Sequence, residues 1–71
     1  MFLQHIINEA NKYIVLLKCY NVFLSDDKII YIYDIKKYLE ERGCDNIVWD
    51  LNHAFKIYNE KVVNYWSNQN A

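Results

Sequence analysis

From Asn46 to Ser67, apolar side chains return every third or fourth residue: Ile47, Val48, Leu51, Ala54, Phe55, Tyr58, Val62, Tyr65 and Trp66. That spacing lines one face of an α-helix. No proline interrupts it, and Asp45 stands ahead of it as an N-cap. At ~1.5 Å per residue such a helix measures roughly 33 Å. In a chain of 71 residues a rod of that length sets the dimension of the whole, and everything else must pack along it.

The first segment, residues 2–20, repeats the pattern. Leu3, Ile6, Ile7, Ala10, Ile14 and Leu17 share one face, and Gln4, Asn8, Asn11, Lys12 and Lys18 share the other. Val15, Leu16, Cys19 and Tyr20 fall outside the main stripe, so this helix is broadly apolar and expected to be contacted on two sides. Asn21 to Ser25 then reads as a loop with a buried plug.

The stretch between them, Ser25 to Gly43, supports two readings. Ile29 to Tyr33 has the β-branched and aromatic residues of a strand. The fold would then be α+β, with a hairpin around residues 22–33. Read as a helix, Ser25 is an N-cap, Asp26 and Asp27 meet the positive end of the helix dipole, and Ile32, Ile35 and Leu39 share a face. Gly43, the chain's one glycine, falls where a helix ends in a left-handed residue. A lone hairpin with no third strand is marginal. The sequence therefore predicts an all-α fold: a single small domain over residues 1–71, a compact three-helix unit of about 2–20, 26–42 and 45–67, with the third helix as its spine. The "GCD" link makes the second and third helices neighbours.

Bulk composition bounds function more than it names it. Apolar residues make up 54% and aromatics 17%, more than a domain this small can hide in one core. The net charge of −1, from eight basic and nine acidic residues in mixed order, does not supply the dense basic surface that nonspecific nucleic-acid binding draws on. Two cysteines make no disulfide framework, which favours a reduced cytoplasmic setting. The apolar runs "YIVLL" and "IIYIY" are too short to span a bilayer, and no basic region marks the first residues as a signal peptide. Abundant Ile, Asn, Lys, Tyr and Phe with scarce Gly, Ala, Arg and Pro point to an AT-rich genome, such as a phage, virus or mobile element. In that case the setting is the host cytoplasm.

No constellation for chemistry stands out. His5, His53, Cys19 and Cys44 lack metal-ligand spacing, and Asp50 with His53, like His5 with Glu9, reads as a local surface pair. Cys44 follows a helix C-terminus and precedes Asp45, negative surroundings that do not activate a nucleophile, while Cys19 reads as a small buried hydrophobe. One glycine cannot build a phosphate loop. The expectation is a non-enzymatic protein with no cofactor, no metal and no small-molecule substrate.

A short glycine-containing turn between helices also fits a helix-turn-helix, with Lys36, Lys37 and Arg42 on the DNA backbone. Against it, the helix that would enter the groove opens with Asp45, Asn46 and Asp50, and bulky Leu39 stands where such motifs carry alanine. Nucleic acid is thus the alternative partner. The leading expectation is protein contact. Trp49, Ile57 and Val63 lie outside the stripe of the third helix, and Ile30 and Tyr33 outside that of the second. Exposed aromatic and aliphatic side chains of this kind anchor interfaces. A homodimer through the third helix, in a small accessory or regulatory protein that binds a host factor, is the expected form.

Overall fold

Ser25 settles the ambiguous segment. In the computed structural model, which describes residues 2–19 and 22–69, its backbone is extended and its hydroxyl accepts a hydrogen bond from the Lys28 amide at 3.3 Å. A capped helix follows, with Asp26 and Asp27 in its first turn where the dipole favours negative charge. Three helices result among the described residues: α1 (Phe2–Lys18), α2 (Asp26–Glu41) and α3 (Asp45–Gln69). The fold is all-α. Residues 29–33, the strand of the alternative hairpin, lie within α2, and no strand occurs among the described residues. The β-rich composition of "IIYIY" yields because Ile32 is needed in the same stripe as Ile35 and Leu39, all three buried.

Helix boundaries shift by one or two residues from those the sequence predicts. The described part of α1 ends at Lys18, and Tyr20, its expected last residue, lies outside the described residues. α3 begins at Asp45 as predicted and runs on to Gln69, two residues past the predicted end. The cap position expected at Asp45 falls instead on Cys44, whose carbonyl accepts from the Val48 amide at 3.2 Å.

The link from α2 to α3 follows from Gly43. Its φ of 74° is the left-handed conformation that a Cβ disfavours. The Gly43 amide bonds back to the Glu40 carbonyl at 3.1 Å and the Cys44 amide to the Leu39 carbonyl at 3.0 Å. This is the Schellman arrangement, which satisfies the orphan carbonyls of a helix end. Cys44 packs on the core, completing its apolar contact.

The core is one layer deep between three helices. Ala10, Tyr13, Ile14 and Leu17 of α1 meet Ile32, Ile35 and Leu39 of α2 and Leu51, Ala54, Phe55 and Tyr58 of α3. Tyr13, which the periodicity of α1 did not single out, is buried because its hydroxyl reaches the edge and accepts from the Lys28 ammonium at 3.3 Å. Leu3, on the expected stripe, is partly exposed near the start of α1.

The molecule measures 47 × 19 × 16 Å. Its radius of gyration of 13.1 Å exceeds the roughly 11 Å of a compact chain this long. The cause is α3. Its 25 residues run about 37 Å, whereas the 17 of α1 and 16 of α2 run about 25 Å. The surplus projects at one end.

Candidate interaction surface

Side-chain contacts set the relation of α2 to α3. Lys36 donates to the Asn52 side-chain carbonyl at 2.9 Å. One turn away, the rings of Tyr33 and Phe55 lie flat on each other, 4.4 Å apart and 5° from parallel. Further along, the Leu24 amide donates to the Tyr58 hydroxyl at 2.9 Å. Residue numbers fall from Lys36 to Tyr33 on α2 as they rise from Asn52 to Phe55 on α3, so α2 and α3 fold back on each other across the Gly43 link as an αα-hairpin.

The basic residues of the DNA alternative are partly committed. Lys36 bonds Asn52, lies 5.4 Å over the Tyr33 ring and stands 3.9 Å from Glu40. Arg42 stacks 3.5 Å over the Tyr38 ring and donates to the Tyr38 carbonyl at 3.4 Å. Lys37 is exposed.

The five residues expected to contact protein divide into three places. Tyr33 and Val63 adjoin the same feature: Tyr33 stacks on Phe55, and Phe55 with Val63 lines a shallow groove along α3 that also holds Asn52, Asn59 and Asn64. Ile30 is exposed three residues before Tyr33 on the same side of α2. Trp49 is exposed near the start of α3, where its indole stacks on His53 with centroids 5.4 Å apart. His53 thus leans on Trp49 rather than joining Asp50. Ile57, expected in the open, is half-buried beside the end of α1, in a groove shared with Lys18 and Lys61. The sequence places Trp49, Ile57 and Val63 together off the core stripe; the structure spreads them around the helix.

Two exposed apolar residues sit where the sequence assigns core. Tyr65 and Trp66 belong to the stripe of α3 by spacing, yet both are exposed. The stripe outlasts the helices that cover it. Phe23, from the loop read as a plug, is also exposed and packs its ring 4.8 Å from Tyr65, while its neighbours Val22 and Leu24 are half-buried. Beside this pair runs a second groove, between the start of α2 and the end of α3, lined by Leu24, Ile29, Tyr58, Val62 and Trp66.

Lys61 holds this end together. Its ammonium donates to the carbonyls of Cys19 and of Val22, the latter at 3.0 Å. It lies 5.6 Å over the Phe23 ring and 5.1 Å over the Tyr58 ring. Cys19, expected to be buried, is half-buried, with its thiol against the Val15 carbonyl at 3.3 Å.

No described helix is long and apolar enough to cross a membrane. Among the described residues no three of His, Cys, Asp and Glu gather as a metal ion would require. Comparison of the chain with protein-family models, curated proteins and solved structures found no match in any of the three.

Proposed function

We propose that this chain is a small protein-binding module of the accessory or regulatory kind, which acts by contact rather than by chemistry and associates first with itself. The observation that carries this reading is the face shared by α2 and α3, where Ile30, Tyr33, Val63 and Trp66 are all exposed. Tyr33 is held flat against buried Phe55, so it is a rigid aromatic that loses little freedom on binding. Several large apolar side chains exposed on one side of a folded protein support a contact site there. A regulator that works by covering another protein's surface needs nothing beyond such a face.

Light scattering coupled to size exclusion, run over a hundredfold range of concentration, tests it. The expected mass at the upper end is twice that of one chain. Replacing Tyr33 and Val63 together by serine is expected to return a single-chain mass with helical circular dichroism unchanged. One-chain mass at every concentration for the unaltered protein would remove self-association. An unchanged assembly in the double variant would remove this face from it.

A further inference from the structure

We infer that the self-contact is made by the projecting end of α3, paired antiparallel with the same end of a second copy about a two-fold axis close to Val63 and Trp66. This rests on the reading above and specifies its site.

Among the described residues, no helix lies opposite the projecting end. α1 closes at Lys18, and α2 opens at Asp26. Lys61 already reaches the loop between them, through the carbonyls of Cys19 and Val22. From Val62 onward, Phe23 is an aromatic neighbour from that loop, set against Tyr65. Those last turns nevertheless keep the apolar spacing of a core helix, with Val62, Tyr65 and Trp66 in the stripe and Val63 beside it.

Area argues for a second copy. Phe23 and Tyr65 are each 46% exposed, Trp66 59% and Val63 62%. With ~200 Å² for a full aromatic side chain and roughly half that for an aliphatic one, the patch offers about 360 Å² of apolar surface. Doubled by symmetry this is about 700 Å², and at the ~65% apolar share of homodimer contacts it corresponds to a total of about 1,100 Å². That is the size of a weak, concentration-dependent contact.

Charge and shape point the same way. From Val62 to Ala71 the sequence holds no charged side chain, so antiparallel pairing of these turns sets no like charges against each other. Each copy also carries both halves of the joint: a projecting turn with Val63 and Trp66, and the groove that Trp66 borders, where Leu24, Ile29, Tyr58 and Val62 stand with Asp26 and Asn59 and would meet only uncharged side chains of the other copy's last turns. A two-fold contact is self-complementary by definition. Here it lays each projecting turn along the groove of the other copy.

The test compares Val63→Asp and Trp66→Ala with Trp49→Ala and Val15→Asp, which alter exposed residues that are not part of the patch. Sedimentation equilibrium reads the dimer dissociation constant, and circular dichroism checks the fold. The expected result is at least a tenfold rise for the first two and less than a twofold change for the others. Val63→Cys is further expected to form a covalent dimer under mild oxidation, while Val15→Cys, with the same native cysteines, is not. Dimers that survive Val63→Asp but dissociate with Trp49→Ala would overturn this interface and leave the protein-binding reading standing. An unaltered protein that never dimerises would overturn self-association itself.

Discussion

At the scale of single residues, Lys61 ties the linker after α1 to α3. It is half-buried, and its hydrogen bonds go to main-chain carbonyls of the linker rather than to a carboxylate. It meets carbonyls that α1 and its exit leave without an intrahelical partner. Lys61→Met keeps the stem and removes the donor. Loss of hydrogen bonds to a charged group predicts a destabilisation of about 1–3 kcal/mol, read by urea unfolding. The same variant is expected to speed amide exchange at Leu24, whose amide is pinned by Tyr58, while leaving Leu39 protected. Equal loss of protection at both sites would mean that Lys61 stabilises the whole fold and not the linker. Nothing in the sequence singles Lys61 out. Its partners are more than thirty positions away, and a lysine between Glu60 and Val62 reads as solvated. Tyr13 escaped for a related reason: its burial depends on an ammonium from another helix.

At the scale of elements, the signals that survive are those read within a few residues. Ser25, the paired aspartates and Gly43 bracket α2, and Ile32, Ile35 and Leu39 fill its buried stripe, so its helical state was legible despite a β-rich centre. What periodicity cannot report is where a neighbouring helix stops. Tyr65 and Trp66 fit the stripe of α3 as well as Leu51 does, but only Leu51 has helices opposite it. Ile57 shows the converse, being off the stripe yet half-covered where α1 ends. Gly43 carries the element-scale prediction. A Cβ there would meet nothing within 4 Å, so the cost of Gly43→Ala is conformational alone. A left-handed non-glycine residue costs roughly 1–2 kcal/mol, expected as a lower urea midpoint with an unchanged slope. A larger loss with a changed slope would show that the turn, and with it the α2–α3 pairing, had rearranged.

At the scale of the whole molecule, a core with eleven buried residues among those described must hold a chain whose longest helix is only partly covered. Stability of ~0.05–0.15 kcal/mol per residue amounts to roughly 4–11 kcal/mol here. Removing one fully buried leucine costs about 2–5 kcal/mol. Leu39→Ala is therefore expected to remove about a third to a half of that stability, read by circular dichroism as a lower urea midpoint. Adding protein should recover part of the loss, because a dimer draws the folded state forward by mass action. A melting temperature independent of concentration in both the parent and Leu39→Ala would mean that folding and association are uncoupled.

The three helices alternate in direction, up, down and up, so α1 opens at one end of a molecule 47 Å long and α3 finishes at the other. That arrangement gives the protein a front and a back for anyone who needs to hold it. A handle fused ahead of α1 leaves Phe23, Tyr65 and Trp66 facing outward, available to whatever approaches. The same handle fused behind α3 sits on top of them. Two laboratories that choose opposite ends for an affinity tag or a sensor-chip anchor would report different binding behaviour from one sequence, and the difference would itself map the working end.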